Sequence, residues 1–148
     1  VPFEEEIAWV GETDPVASPL GKVPYLKTPD GAMCESAVML EYIEQKYPQN
    51  PLLPADPFAA SKVRELALFL DLHLELVARN LYPEAFFGGK VSDSVKEKVG
   101  AQLEKNVAAF AKLAQFSPYI LGDTLTLAEV VDAAESYIRD GKVLHAKH

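Results

Sequence analysis

The sequence predicts an α/β segment followed by an all-α segment. Short apolar runs with strand chemistry and one helix pattern occupy the first third of the chain, whereas long amphipathic patterns fill the rest. Four prolines fall between positions 48 and 57, where each removes a backbone donor and restricts the residue before it. We therefore expect a first domain over residues 1–48, a linker over 49–56 and an all-helical domain over 57–148.

The first domain is predicted to contain short strands and one helix. Residues 1–10 and 22–28 have strand chemistry, and the second run ends in the turn Pro29–Asp30–Gly31. Residues 32–35 are a further strand candidate, and residues 36–47 have the apolar spacing of an amphipathic helix. The first third of the chain is therefore expected to be mixed α and β.

A long helix is predicted directly after the proline-rich segment. Its main apolar stripe at helical spacing consists of Val63, Leu66, Ala67, Leu70, Leu74, Val77, Ala78 and Leu81. A second stripe consists of Leu68, Phe69, Leu72 and Leu76. We therefore expect the helix to be covered on two sides, by its own domain and by a partner subunit.

Two serine or threonine residues are each followed three positions later by glutamate, which is the spacing of a capping box. Ser94 with Glu97 predicts the start of a second long helix, and Thr126 with Glu129 predicts the start of a third. The third helix is predicted to continue until Gly141, which would supply a left-handed cap.

Composition limits the classes of function. The chain has 148 residues and a net charge of -8, which disfavours nucleic acids and anionic membrane surfaces as partners. A single cysteine excludes an internal disulfide framework and fits a reducing compartment. Within these 148 residues no apolar run is long enough to span a bilayer, and we expect no secretory leader. We therefore expect a cytoplasmic protein.

Pro24 interrupts a short apolar run at a place that suits ligand binding. Proline there predicts a sheet edge or a bend, where the backbone N–H and C=O of Val23 face outward. Such groups can pair with the backbone of an extended peptide.

Glu35 and Ser36 stand where the first helix is predicted to begin. A helix N-terminus attracts carboxylates and phosphates, and the serine hydroxyl adds a further donor. The glutamate opposes an anion but suits an ammonium group, so the pair fits the α-amino-acid end of a ligand. The alternative is that Ser36 is only an N-cap and Glu35 only complements the helix dipole.

The order of these motifs resembles the soluble glutathione transferases. The resemblance rests on "SPLGKVPYL", the turn, "ES", the helix "AVMLEYIEQKYP", the proline-rich linker, the paired long helices and "ILGDTLTLAE", over roughly residues 1–130. It implies a partial thioredoxin-like N-terminal domain, which lacks the first strand and helix, and a helical-bundle C-terminal domain. After about residue 130 the sequence departs from the family pattern.

The resemblance also implies an activity and a set of binding residues. Val23 and Pro24 would hold the cysteinyl part of glutathione, Glu35 and Ser36 its γ-glutamyl end, and Lys22 its glycyl carboxylate. The protein would be a homodimeric enzyme of detoxification type that conjugates the thiolate of glutathione, its co-substrate, to small electrophiles. The catalytic residue stays unknown, because the expected tyrosine, serine or cysteine precedes the matched part.

Two further hypotheses, from different classes of protein, stay open. The chain could be a non-catalytic transferase-like module for dimerisation or assembly, or a glutathione-dependent isomerase, dehalogenase or reductase. Other reactive side chains favour structural roles: His73, Tyr82, Phe86, Phe87 and Cys34 are expected to pack or to line a cleft. The glutamates at positions 4–6 lack histidine or cysteine companions, so no metal site is expected.

Overall fold

The computed structural model describes residues 3–130, and the predicted continuation of the last helix to Gly141 lies outside the described residues. The chain divides into two compact units between Pro51 and Leu52. Residues 47–56 contain no regular element, and the assignment of residues 49–56 to an interdomain linker stays a prediction.

The first unit is built around a β-hairpin and a helix. Strand β1 (Leu26–Thr28) pairs antiparallel with β2 (Gly31–Met33), in the register Leu26 with Met33 and Thr28 with Gly31. The Thr28 hydroxyl donates to the Gly31 carbonyl at 2.9 Å and accepts the Asp30 N–H at 3.2 Å, which closes the predicted turn. Helix α1 (Ser36–Lys46) follows and buries Met39.

The predicted strand over residues 1–10 is wrong for residues 3–10, which have no strand structure. A strand forms only where a second strand takes its backbone hydrogen bonds, and no described residue does so for this segment. Its Trp9 is 56% exposed in the structure. The strand predicted for residues 22–28 is likewise shorter, since only Leu26–Thr28 pair.

The second unit begins with a long helical run. Helix α2 (Pro57–Phe69) starts where the Asp56 carboxylate accepts the Ala59 N–H at 2.8 Å, and Pro57 takes the first helical position. A π-helical segment (Leu70–Glu75), α3 (Leu76–Ala78), a 3₁₀ turn (Arg79–Leu81) and α4 (Tyr82–Ala85) continue the run. Helix α5 (Asp93–Phe110) lies after a loop.

The main stripe of the long helix forms much of the core, as predicted. Its buried members are Val63, Leu66, Ala67, Leu70 and Val77, and α5 contributes Val99 and Phe110. The rings of Phe69 and Phe110 lie 5.8 Å apart, and the Asn106 side chain donates to the His73 carbonyl at 2.6 Å. These contacts join α5 to α2 and to the π-helical segment.

The predicted capping box of Ser94 and Glu97 is wrong. Helix α5 starts two residues earlier than predicted, with Ser92 as N-cap, so Ser94 already lies inside the first turn. The Ser94 hydroxyl lies 3.1 Å from that of Ser92 instead of reaching the Glu97 backbone. Two serines compete at this helix start, and the sequence spacing alone does not decide between them.

The predicted helix start at Thr126 is confirmed, and the Glu129 half of the capping box forms, while the Thr126 hydroxyl accepts the Ala128 N–H at 3.3 Å. The Thr126 N–H and hydroxyl donate to Glu129 Oε2 at 2.7 and 2.6 Å, and residues 127–130 are helical. Glu129 Oε1 accepts the Ile120 N–H at 2.6 Å, and the Leu127 N–H donates to the Leu52 carbonyl at 3.0 Å. Glu129 therefore joins the loop before the helix to its first turn.

The same hydrogen bonds set the ionisation of Glu129. Burial raises the pKa of this carboxyl, but the donors of Thr126 and Ile120 outweigh burial, so the pKa lies below its usual range. The charged form is therefore the one that the fold stabilises.

Candidate functional site

The segment before β1 bends at Val23, which agrees with the bend predicted from Pro24. Residues 22–25 belong to no strand, and the Val23–Pro24 peptide bond is cis. Val23 is 40% exposed, and Lys22 and Pro24 are not buried either. Among residues 3–130, no hydrogen-bond partner is found for the backbone N–H or C=O of Val23. Both groups are therefore available to an extended ligand.

Ser36 is the first residue of α1 and Glu35 is its N-cap. The Glu35 carbonyl accepts the N–H groups of Val38 and Met39 at 3.0 and 3.1 Å, whereas its side chain makes no capping bond. Within the described part of the chain, the N–H groups of Ser36 and Ala37 have no acceptor. This helix start therefore offers two free backbone donors beside the exposed Ser36 hydroxyl.

The alternative in which Ser36 acts only as an N-cap does not hold in this structure, because Glu35 takes that position. Glu35 has a φ of 73° and a ψ of 112°, a conformation that residues other than glycine rarely adopt. A dipole-complementing glutamate in a first helical turn would have helical angles instead. The backbone therefore places the Glu35 carboxylate outside the helix, in an exposed position.

The hairpin brings the two halves of the candidate site to one end. Leu26 at the start of β1 pairs with Met33 at the end of β2, so the residues before β1 and after β2 leave the hairpin at its open end. Val23 lies three residues before Leu26, and Glu35 lies two residues after Met33. The backbone groups of Val23 and the start of α1 thus share one end of the same small sheet.

Charged groups beside the hairpin are held by local contacts. The N–H groups of Val16 and Ala17 donate to the Asp14 carboxylate and lower its pKa, with Val16 the stronger influence. Lys27 on β1 lies 3.4 Å from Asp14 and 3.9 Å from Glu6. The Lys22 side chain makes no such ion pair among the described residues, so its charge is available near Val23.

Ser18 is a residue near the site that the sequence pattern did not single out. It is buried, and its hydroxyl bonds both backbone groups of Lys22. The stretch "SPLG" carries the signal that could have identified it, because serine, proline and glycine together are typical of turns that the serine hydroxyl closes.

The remaining candidates are described by their own local surroundings. His73 is exposed on the π-helical segment and touches the Phe69 ring at 4.8 Å. Tyr82 and Phe86 stack edge to face at 4.9 Å, whereas Phe87 is exposed. Cys34 is a half-buried free thiol.

Over residues 3–130, no grouping of acidic, histidine and cysteine side chains is suited to a metal ion, and no helix is long and apolar enough to cross a membrane.

The comparisons with known proteins give the same family and the same fold. The model for "Glutathione S-transferase, N-terminal domain" matches residues 1–51. A glutathione S-transferase of Pseudomonas putida is 45% identical over 134 residues, which cover 88% of this chain and 60% of that protein. This chain therefore spans less than two thirds of that relative.

Two solved structures are similar to the chain. A glutathione S-transferase from Methylobacterium radiotolerans in complex with glutathione sulfonate has 26% identity and a TM-score of 0.68, covering 88% of this chain and 63% of that one. A maleyl pyruvate isomerase, a bacterial glutathione S-transferase in the zeta class, has 28% identity and a TM-score of 0.64, covering 84% and 63%. These likenesses confirm the predicted class, a thioredoxin-like α/β part followed by an all-α part.

Proposed function

Because the chain belongs to the glutathione S-transferase family, we propose that Lys22, Val23, Pro24, Glu35 and Ser36 bind glutathione in an enzyme that conjugates it to small electrophiles. The observation that carries the proposal is the open end of the hairpin. There the unpartnered backbone of Val23 and the unpartnered donors at the start of α1 lie together. Glutathione is an extended peptide with an α-amino-acid end, and these groups match both of its features.

Each group has a defined part in binding. The Val23 N–H and C=O would pair with the cysteinyl backbone of glutathione, as an added strand pairs with a sheet edge. The Ser36 hydroxyl and the first N–H groups of α1 would hold the γ-glutamyl carboxylate, while Glu35 would attract the ammonium group beside it. Lys22 would neutralise the glycyl carboxylate. The five residues bind and orient the co-substrate, and the catalytic residue is not among them.

The reaction proposed is nucleophilic attack by sulfur. Loss of the thiol proton gives the thiolate, which is the nucleophilic form. Its electron pair forms a carbon–sulfur bond with the electrophile, and a leaving group departs with the electron pair of the bond that breaks. The backbone of Val23 would fix the cysteinyl part, so that its sulfur is oriented before the electrophile arrives. We place this reaction in the cytoplasm, in accordance with the single cysteine of the chain.

We expect glutathione to protect the protein against thermal unfolding, because a ligand that binds only the native state stabilises it. Glutathione at about 100 times its dissociation constant should raise the free energy of unfolding by about 2.7 kcal/mol. In Ser36→Ala, the stabilisation at the same concentration should fall to about half or less, since a hydrogen bond to a charged group is lost. Differential scanning fluorimetry with and without glutathione measures both effects.

Ser94→Ala is the matched control for this experiment. Ser94 is also an exposed serine in the first turn of a helix, but it lies in α5 and far along the chain from the hairpin. The Ser94→Ala protein should keep the full stabilisation by glutathione. A folded wild-type protein that gains no stability from glutathione would contradict the binding proposal.

A second candidate is isomerisation with glutathione as a cofactor. The structural likeness to a maleyl pyruvate isomerase supports this reaction. Conjugation and isomerisation use the same binding residues, and they differ in whether glutathione is consumed. A stoichiometric loss of free thiol during turnover supports conjugation, and turnover without thiol loss supports isomerisation.

We also propose that the protein is a homodimer. Leu68, Leu72 and Leu76 recur every fourth residue and are each 50% exposed, so three of the four members of the predicted second stripe form an uncovered apolar surface. Light scattering at micromolar concentration should give twice the chain mass. In Leu72→Glu the mass should fall toward that of one chain, whereas Val107→Glu on the exposed side of α5 should leave it unchanged. A wild-type mass of one chain would refute the proposal.

A further inference from the structure

The hydroxyl of Ser18 holds the backbone of Lys22 at both ends. Ser18 Oγ donates to the Lys22 carbonyl at 2.7 Å and accepts the Lys22 N–H at 2.9 Å. The Ser18 residue is only 2% exposed, so its hydroxyl is shielded from bulk water. The single O–H of this hydroxyl is given to the Lys22 carbonyl, so the side chain has no donor left to offer a ligand.

The turn that carries Ser18 is itself fixed by main-chain bonds. The Gly21 N–H donates to the Ser18 carbonyl at 2.9 Å, and the Ser18 N–H donates to the Asp14 carbonyl at 2.8 Å. The Gly11 N–H donates to the Gly21 carbonyl at 2.9 Å. Gly21 has a φ of 67°, and a Cβ there would lie 3.3 Å from the Cα of Gly11. The Ser18 hydroxyl is thus attached to a rigid turn.

Because the peptide bond is planar, the orientation of the Lys22 carbonyl also determines the orientation of the Val23 N–H. The Lys22 carbonyl and the Val23 N–H belong to one peptide unit, which is trans, so the two groups point in opposite directions. Because the carbonyl is directed at the buried Ser18 hydroxyl, the N–H is directed away from it. Val23 is partly exposed and its N–H has no partner among residues 3–130. The hydroxyl therefore fixes the direction of a free donor.

We propose that Ser18 is a positioning residue for glutathione, which orients the Val23 backbone through its two hydrogen bonds to Lys22. This role rests on the proposed function and extends it to a residue that never touches the ligand. A Val23 N–H that already points in the direction needed for binding loses little conformational entropy when the ligand binds. Such preorganisation improves affinity. Without the hydroxyl, the Lys22–Val23 peptide unit loses the hydrogen bond that orients its carbonyl.

The test compares Ser18→Ala with Thr28→Val in the full chain. Thr28 is the matched control because its hydroxyl also donates to one carbonyl and accepts one N–H, but at the hairpin turn. Isothermal titration calorimetry with glutathione should show about tenfold weaker binding for Ser18→Ala. This is the loss expected when the net free energy of about one hydrogen bond is removed. Thr28→Val should bind within about twofold of the wild type, although it loses the same number of bonds.

Amide hydrogen exchange of Lys22 measures the hydrogen bond itself, without ligand. Exchange at Lys22 should be faster in Ser18→Ala than in the wild type and unchanged in Thr28→Val. If Ser18→Ala does not fold, Ser18→Cys serves instead, because it keeps nearly the same size and has only a weak donor. It should also weaken glutathione binding and speed exchange at Lys22.

The outcomes separate the two proposals. A wild type that does not bind glutathione overturns the proposed function and the role of Ser18 with it. A wild type that binds, beside a Ser18→Ala protein of equal affinity, overturns the role of Ser18 alone. Equal losses of affinity in Ser18→Ala and Thr28→Val also overturn the role of Ser18, because they would show that any lost pair of hydrogen bonds in this unit weakens binding. A selective loss in Ser18→Ala together with faster exchange at Lys22 supports it.

Discussion

Leu66→Ala is expected to lower the free energy of unfolding by about 2–5 kcal/mol, which is a large effect for a single substitution. Leu66 is 0% exposed in the middle of α2, within the main apolar stripe of the long helix. Truncation removes buried methyl groups and leaves a cavity that rigid neighbours fill only in part. Urea unfolding followed by circular dichroism measures the change from the shift of the midpoint.

Two valines in the same unit give a matched control for burial. Val63 on α2 is 1% exposed, whereas Val107 on α5 is 53% exposed. Both lose the same two methyl groups on substitution by alanine, so the change in chemistry is identical. Val63→Ala should destabilise clearly more than Val107→Ala. Equal losses would show that the described core is not where the stability of this unit resides.

Glu129→Ala is expected to lower the free energy of unfolding by about 2–3 kcal/mol. The carboxylate accepts the N–H and hydroxyl of Thr126 and the N–H of Ile120, and both of these residues are buried. Alanine leaves these donors without an acceptor, and an unsatisfied buried donor is destabilising. The same urea experiment measures the loss.

Glu97→Ala is the control, since Ser94 and Glu97 have the same spacing as Thr126 and Glu129 without forming the box. Its effect should stay within about 0.5 kcal/mol.

The pH dependence of the stability that Glu129 contributes gives a second check. Because the folded pKa of Glu129 is lowered, its stabilisation is present above the unfolded value of about 4.3 and is lost as the pH falls through the folded pKa. The wild type and Glu129→Ala should therefore converge in acid.

Features that depend on neighbours along the chain were predictable from the sequence. The turn at Pro29–Asp30–Gly31, the start of α1 and the capping box of Thr126 are each set by a few adjacent residues. The buried stripe of the long helix also follows from local spacing, because helical periodicity alone decides which side chains share a face. The candidate site was predicted in this way, as a bend at Pro24 followed by a helix start.

Features that depend on distant partners or on small energy differences were not predictable. The strand expected near the start has no pairing partner among the described residues, and a run of strand-forming residues does not reveal that. The π-helical segment differs from an α-helix by one residue in its hydrogen-bond spacing, which apolar periodicity does not resolve. The buried hydroxyl of Ser18 was missed because its partner is a backbone group, which every residue has.

The backbone of Glu35 has a consequence for protein engineering. A non-glycine residue at a φ of 73° and a ψ of 112° is strained, by about 1–3 kcal/mol for such conformations in general, and glycine would relieve that strain. Selection for heat resistance alone would therefore favour glycine at this position. It would discard the carboxylate that we assign to the ammonium group of glutathione, so a protein stabilised in this way would bind glutathione more weakly.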